Sequence, residues 1–175
     1  VNEAGAIGTA ALEAATDVHR ALYEAGATCA TAESLTGGLI GAHLTAVPGT
    51  SATYRGGLVT YATDAKVSLL GVPTELLIEH GAVHPDVAFH MAVGARRALR
   101  ADFAVAVTGV AGPDSQDGEP VGTVFAAVAG PDSHTRVERF RFTGDRAGIR
   151  YHTVEGALRL LRTAVRGSEA GSTRY

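Results

Sequence analysis

Two residues of this chain offer covalent chemistry by type and setting, Ser34 and Lys66. Ser34 sits in Ala32-Glu33-Ser34-Leu35-Thr36-Gly37-Gly38. Residues 27–31 before it are short, small and partly β-branched, which predicts a buried strand, and residues 39–44 after it have helical spacing. Such a strand-to-helix turn aims backbone N–H groups and the positive helix end at whatever lies above the sheet. The same residues also read as an ordinary Ser/Thr-capped helix start with glycines for the turn. A serine becomes a nucleophile only with a base, most often histidine. Of the histidines, His19, His90 and His152 fall in amphipathic helices and His134 in a hairpin turn. No histidine pair has metal-ligand spacing with a carboxylate on the same face, so no metal site is expected. The alternative base is a lysine whose pKa is lowered by burial or positive potential. Lys66 is the only lysine; every other long basic side chain is Arg. Giving up a proton is a task that a guanidinium cannot perform. The plain alternative is one lysine surviving by chance in an arginine-biased composition.

The elements that must position these residues follow from periodicity. Ile7, Ala11, Ala15, Val18, Leu22 and Ala25 form the apolar stripe of a first helix, stopped by Gly26. Residues 57–61 predict a second strand ending at Tyr61, and Thr63 or Asp64 would cap the short helix that holds Lys66. A short helix opens at Pro73, and Pro85 opens a longer one with Val87, Ala88, Met91, Ala92, Ala95 and Leu99 inward. Residues 102–109 are the clearest buried strand, running into a glycine-rich loop over 109–120. Residues 122–128 and 135–142 read as a hairpin, the second strand with a wet face or at an edge. Asp145 caps a last helix with Val154, Ala157, Leu158, Leu161 and Val165 inward. This order gives an α/β fold with a mixed sheet of about five strands, largely parallel at first, and helices on both faces. One domain over residues 1–166 with a flexible tail over 167–175 is expected.

Ligands of such sheets bind beyond the carboxyl ends of the parallel strands. Three features converge there: the Ser34 turn, Tyr61 with Lys66, and Thr108-Gly109 with its loop. Arg146 and Arg150 stand in the first turns of the last helix, where positive side chains are unfavourable. Either an anionic ligand or a protein carboxylate such as Asp145 would compensate them.

Composition narrows the classes. Hydrophobic residues make up 46% and aromatics only 6%, with no Trp, so small aliphatic side chains must do the packing. A net charge of −3 gives no basic field for nucleic acid or an acidic membrane. The single Cys29 excludes an intramolecular disulfide and a cysteine zinc cluster. No apolar run reaches membrane-spanning length and no signal peptide is recognisable, which predicts a cytoplasmic protein.

Several stretches together resemble the CinA C-terminal domain family: Thr31-Ala32-Glu33-Ser34-Leu35-Thr36-Gly37-Gly38, Gly57-Leu58-Val59-Thr60-Tyr61 through Ala65-Lys66, Gly81-Ala82-Val83, Thr108-Gly109-Val110-Ala111-Gly112-Pro113, Pro120-Val121-Gly122-Thr123-Val124 and Gly144-Asp145-Arg146. They run in order from about residue 10 to residue 165. Characterised members are nicotinamide mononucleotide deamidases of pyridine nucleotide salvage. The resemblance implies a three-layer α/β/α fold with a mixed, mostly parallel sheet, and assembly as a homo-oligomer. It implies hydrolysis of a carboxamide to carboxylate and ammonia without metal or cofactor. Carried over by motif, Ser34 is the nucleophile, Lys66 the base, and Tyr61 an orienting or relay residue. Thr36, Gly37 and Gly38, with Thr108 and Gly109, would hold substrate or oxyanion, and Arg146 the phosphate. The chain departs from the family pattern at Leu35, within Ala62-Thr63-Asp64, at His84, and in Asp114-Ser115-Gln116-Asp117-Gly118. The competing readings are an amidase for another carboxamide and a non-enzymatic interaction protein associated with competence or DNA damage.

Overall fold

Strand β3 (Phe103–Gly109) is buried along nearly its whole length, and its two faces feed two different cores. Phe103, Val105 and Val107 pack into one with α1 (Glu3–Glu24) and α6 (Arg146–Ser172). Ala104 and Ala106 pack into the other with α5 (Pro85–Leu99). The alternation is that of a strand covered on both faces, and it makes the sheet the middle of three layers. The computed structural model describes residues 3–131 and 135–172. His134 and residues 173–175 lie outside the described residues.

Five strands in the order β2-β1-β3-β4-β5 form the sheet. Strand β1 (Cys29–Glu33) pairs in parallel with both β2 (Tyr54–Val59) and β3. Strands β4 (Thr123–Ala129) and β5 (Thr135–Arg141) add an antiparallel hairpin. The expected mixed sheet with helices on both faces is what forms. On one side lie α1, α2 (Leu39–Thr45) and α6; on the other lie α3 (Thr63–Leu70), α4 (Thr74–His80) and α5.

Alanines on the sheet let the α5 layer sit close, as the aromatic-poor composition requires. Gly94 of α5 shows how close: a Cβ there would lie 2.0 Å from the Leu70 carbonyl oxygen of α3. His84 accepts from Asp86 N–H at 3.2 Å at the start of α5, ahead of Pro85 in the first turn.

Three expectations shift. Strand β2 begins at Tyr54 and ends at Val59, so Tyr61 lies beyond it. Pairing with β1 overrides the weak strand propensity of Arg55-Gly56-Gly57. Neither Thr63 nor Asp64 caps α3; Ala62 holds the capping position without a side-chain bond, and Asp64 accepts only from Ala65 N–H at 2.9 Å. Helix α6 continues to Ser172, past residue 167 where the tail was expected to begin. Among the described residues no helix is long and apolar enough to cross a membrane.

Candidate active site

Because β1 lies between β2 and β3, the turn after β1 is flanked by the ends of both neighbours. Ser34 is the first residue past β1, its N–H bonded to Val107 O of β3 at 3.2 Å. Across from it, the chain leaving β2 passes Thr60 and Tyr61 and enters α3, whose first turn turns Lys66 inward. Lys66 Nζ lies 3.2 Å from Ser34 Oγ and donates to Thr60 O at 2.7 Å and Tyr61 O at 3.2 Å. The side chain is only 1% exposed. Among the described residues no carboxylate forms an ion pair with it. Burial lowers its pKa from 10.5 to about 8, and the Asp117 charge opposes that shift. An amine lowered to about 8 is neutral in a useful fraction at mildly alkaline pH and can serve as a base.

The two residues open into a cavity of about 330 Å³. Its walls are Ser34 and Leu35, Tyr61 with Thr63 and Lys66, Ala82 and Val83, the chain from Thr108 to Gln116, and Arg146. The volume lies at the lower end of small-molecule sites, about 300–1,000 Å³.

Of the residues singled out by sequence, Ser34, Lys66, Tyr61, Thr108, Gly109 and Arg146 meet at this cavity. Tyr61 touches Lys66 through its backbone carbonyl, while its hydroxyl accepts from Arg146 Nη2 at 3.0 Å. Arg146 Nη1 also donates to Gly112 O at 2.6 Å, so its guanidinium bridges two walls. Thr108 Oγ1 donates to Ala82 O at 2.7 Å and holds the wall it lines. Gly109 sits against β4 so tightly that a Cβ would lie 2.6 Å from Thr123 O.

Thr36, Gly37 and Gly38 are not on the cavity wall. The glycine N–H groups expected to face an oxyanion have partners already. Gly37 N–H donates to Ser34 O at 3.0 Å and Gly38 N–H to Glu33 Oε2 at 2.9 Å. Glu33 also accepts from Ile40 and Gly41 N–H at 3.0 and 2.8 Å, so its carboxylate fills the start of α2. The turn keeps its glycines for conformation, Gly37 at φ 59° and Gly38 at φ 100°.

Arg150 meets carbonyl oxygens, not Asp145. Its Nε donates to Leu35 O and its Nη2 to Thr36 O, both at 2.9 Å, clamping the Ser34 turn to α6. Asp145 instead caps α6, accepting from Gly148 N–H at 2.8 Å. The contacts of Glu33 and Arg150 escaped the sequence reading. Only the i, i+4 arginine pair left a signal, and it pointed to an anion where carbonyl oxygens stand.

The fold and site define an α/β/α protein with a buried serine–lysine pair at the carboxyl ends of its parallel strands. The CinA C-terminal domain pattern matches residues 11–165, and the chain belongs to that family. A CinA-like protein of Geobacter sulfurreducens is 53% identical over 148 residues, 84% of this chain and 36% of that protein. A CinA-like protein of Frankia casuarinae is 49% identical over 146 residues, 83% of this chain and 34% of that protein. The chain therefore spans about a third of the length of these curated relatives. Among solved structures, the competence/damage inducible protein CihA of Agrobacterium tumefaciens superposes with a TM-score of 0.85 at 41% identity, covering 90% of this chain and 96% of that one.

Proposed function

We propose that this domain is an amidohydrolase that converts nicotinamide mononucleotide to nicotinate mononucleotide and ammonia, with Ser34 as nucleophile and Lys66 as base. The observation that carries the reading is the 3.2 Å approach to the Ser34 hydroxyl of a buried lysine amine that forms no ion pair among the described residues. Neutral Lys66 takes the Ser34 proton as Oγ attacks the carboxamide carbon. Lys66 returns that proton to the leaving nitrogen, which departs as ammonia. The resulting ester is then cleaved by a water whose proton passes to Lys66 and on to Ser34 Oγ.

The developing oxyanion falls to the N–H of Leu35, which lines the cavity and has no acceptor among the described residues. Arg150, bonded to the Leu35 and Thr36 carbonyls, holds the turn that presents this N–H. Arg146 stands at the cavity mouth with donors for a phosphate, exchanging its Tyr61 or Gly112 partner for it. The substrate is a small soluble nucleotide and the setting cytoplasmic.

The test is direct. Purified protein incubated with nicotinamide mononucleotide releases ammonia and the acid product in equal amounts, while a panel of other pyridine nucleotides and simple amides gives less. Turnover of another amide in the panel, with none of the mononucleotide, replaces the substrate and keeps the mechanism. No product from any amide overturns the enzymatic reading and favours an interaction role, in keeping with the competence/damage names of several relatives.

A further inference from the structure

The loop between β3 and β4 closes on itself. Gln116 N–H donates to Glu119 O at 3.1 Å and Glu119 N–H donates to Gln116 O at 2.9 Å. The two residues between them have positive φ, 52° at Asp117 and 76° at Gly118, the signature of a tight two-residue hairpin. Arg139 of β5 holds Glu119 at 2.8 Å and steadies the hairpin from behind.

Its tip reaches a distant part of the chain. Asp117 Oδ2 accepts from Ala82 N–H at 2.7 Å and Val83 N–H at 3.2 Å, in the connection between α4 and α5. Gly81, at φ 75°, makes room: a Cβ there would lie 2.3 Å from Asp117 Cγ. Thr108 grips the Ala82 carbonyl at 2.7 Å, so one peptide segment is held from two directions. Ala82 and Val83 line one wall of the Ser34–Lys66 cavity, and Ser115 and Gln116 line another.

We propose that Asp117 is a positioning residue for reaction at Ser34, its carboxylate clamping these two walls together. The proposal takes the Ser34–Lys66 site of the preceding subsection as its frame. Its device belongs to the stretch, Asp114 to Gly118, where this chain departs from the family pattern it resembles.

Several charged and titratable groups surround the pair. The Ser34 hydroxyl and two carbonyls contact the amine, Asp64 shares α3, and Tyr61, Asp114 and Arg146 share the cavity. His80 and His84 stack at 4.4 Å where α4 meets α5. Among these, the Asp117 carboxylate is the group that raises the proton affinity of Lys66, against the larger effect of burial.

Because Lys66 is the only lysine, ¹³Cε-lysine labelling yields one lysine side-chain resonance, and its titration reads this amine without any substrate. Asp117→Asn keeps an oxygen for the two N–H groups and removes the charge; Asp117→Ala removes both. The Asn variant is expected to move the Lys66 midpoint to lower pH and, in the amidase assay, to shift the pH profile of kcat/KM the same way with KM unchanged. The Ala variant is expected to raise KM several-fold as well. An unmoved Lys66 midpoint in folded Asp117→Asn overturns the electrostatic coupling, and an unchanged KM in Asp117→Ala overturns the clamp. Failure of the wild-type protein to hydrolyse any amide counts against the proposed function, whereas the resonance still decides the coupling of Asp117 to Lys66.

Discussion

Glu33 and Lys66 flank Ser34, each 1% exposed, and the fold treats them in opposite ways. Glu33 meets three backbone N–H donors at the start of α2, so its oxygens replace the water they lose. Lys66 meets two carbonyls and a hydroxyl, and no carboxylate pairs with it among the described residues. One buried group is fully compensated and serves as architecture. The other is left short of compensation, and the shortfall appears as a pKa lowered to about 8. In the proposed reaction this contrast would hold Ser34 rigidly on one side and keep a proton mobile on the other.

The contrast can be broken in order of expected effect. Ser34→Ala and Lys66→Ala should each reduce ammonia release by about 10⁴-fold or more while circular dichroism and melting stay native-like. Full turnover by either variant would falsify the catalytic pairing. Glu33→Ala leaves three N–H groups at the start of α2, one buried and two half-buried, without their acceptor and should lower unfolding free energy by about 3–5 kcal/mol in urea titrations. A loss below about 1 kcal/mol would show that water replaces the carboxylate.

Lys66→Met should do the reverse. A lysine whose folded pKa of about 8 lies below its ordinary 10.5 binds fewer protons folded than unfolded between those values, so stability rises with pH across that window. Below about 8 the full cost of burying the ammonium is present. The Met variant should therefore be more stable at pH 7, by on the order of 2–3 kcal/mol, and lose the rise toward pH 10. Equal stability of both proteins across that range would remove the strain from this account. The smallest effect is expected at Arg150, where Gln should lower kcat by about tenfold with little change in KM, since the clamp acts on the turn that carries Ser34 and the Leu35 N–H. A KM-only defect would assign Arg150 to substrate binding instead.

Much of this arrangement was legible before the structure. The uniform run of residues 102–109 could only be a strand covered on both faces, and the apolar stripes of α1, α5 and α6 named their own buried sides. The lone lysine and the serine turn are local facts, and the resemblance joined them. What the chain did not disclose are bonds whose partners are far apart or oddly spaced. Asp117 lies 35 positions from Ala82 and 34 from Val83, and nothing in a turn signal says which backbone its carboxylate will meet. Glu33 satisfies helix donors five to eight residues onward from inside a strand, outside the usual cap-to-third-residue spacing. Arg150 reached carbonyl oxygens more than a hundred residues earlier, where charge logic looked for an anion. Strand β2 was misplaced because Arg55-Gly56-Gly57 has no strand character until β1 pairs with it.

The contact between Gly94 and Leu70 carries this reasoning into the variation the chain can tolerate. Leu70 lies one helical turn beyond Lys66, and its carbonyl occupies the space that any side chain at Gly94 would need. A single added methyl there must push α3 outward, and the lysine amine travels with its helix. Among surviving variants, a residue with no side chain and no chemistry should thus prove nearly as intolerant of change as the serine itself.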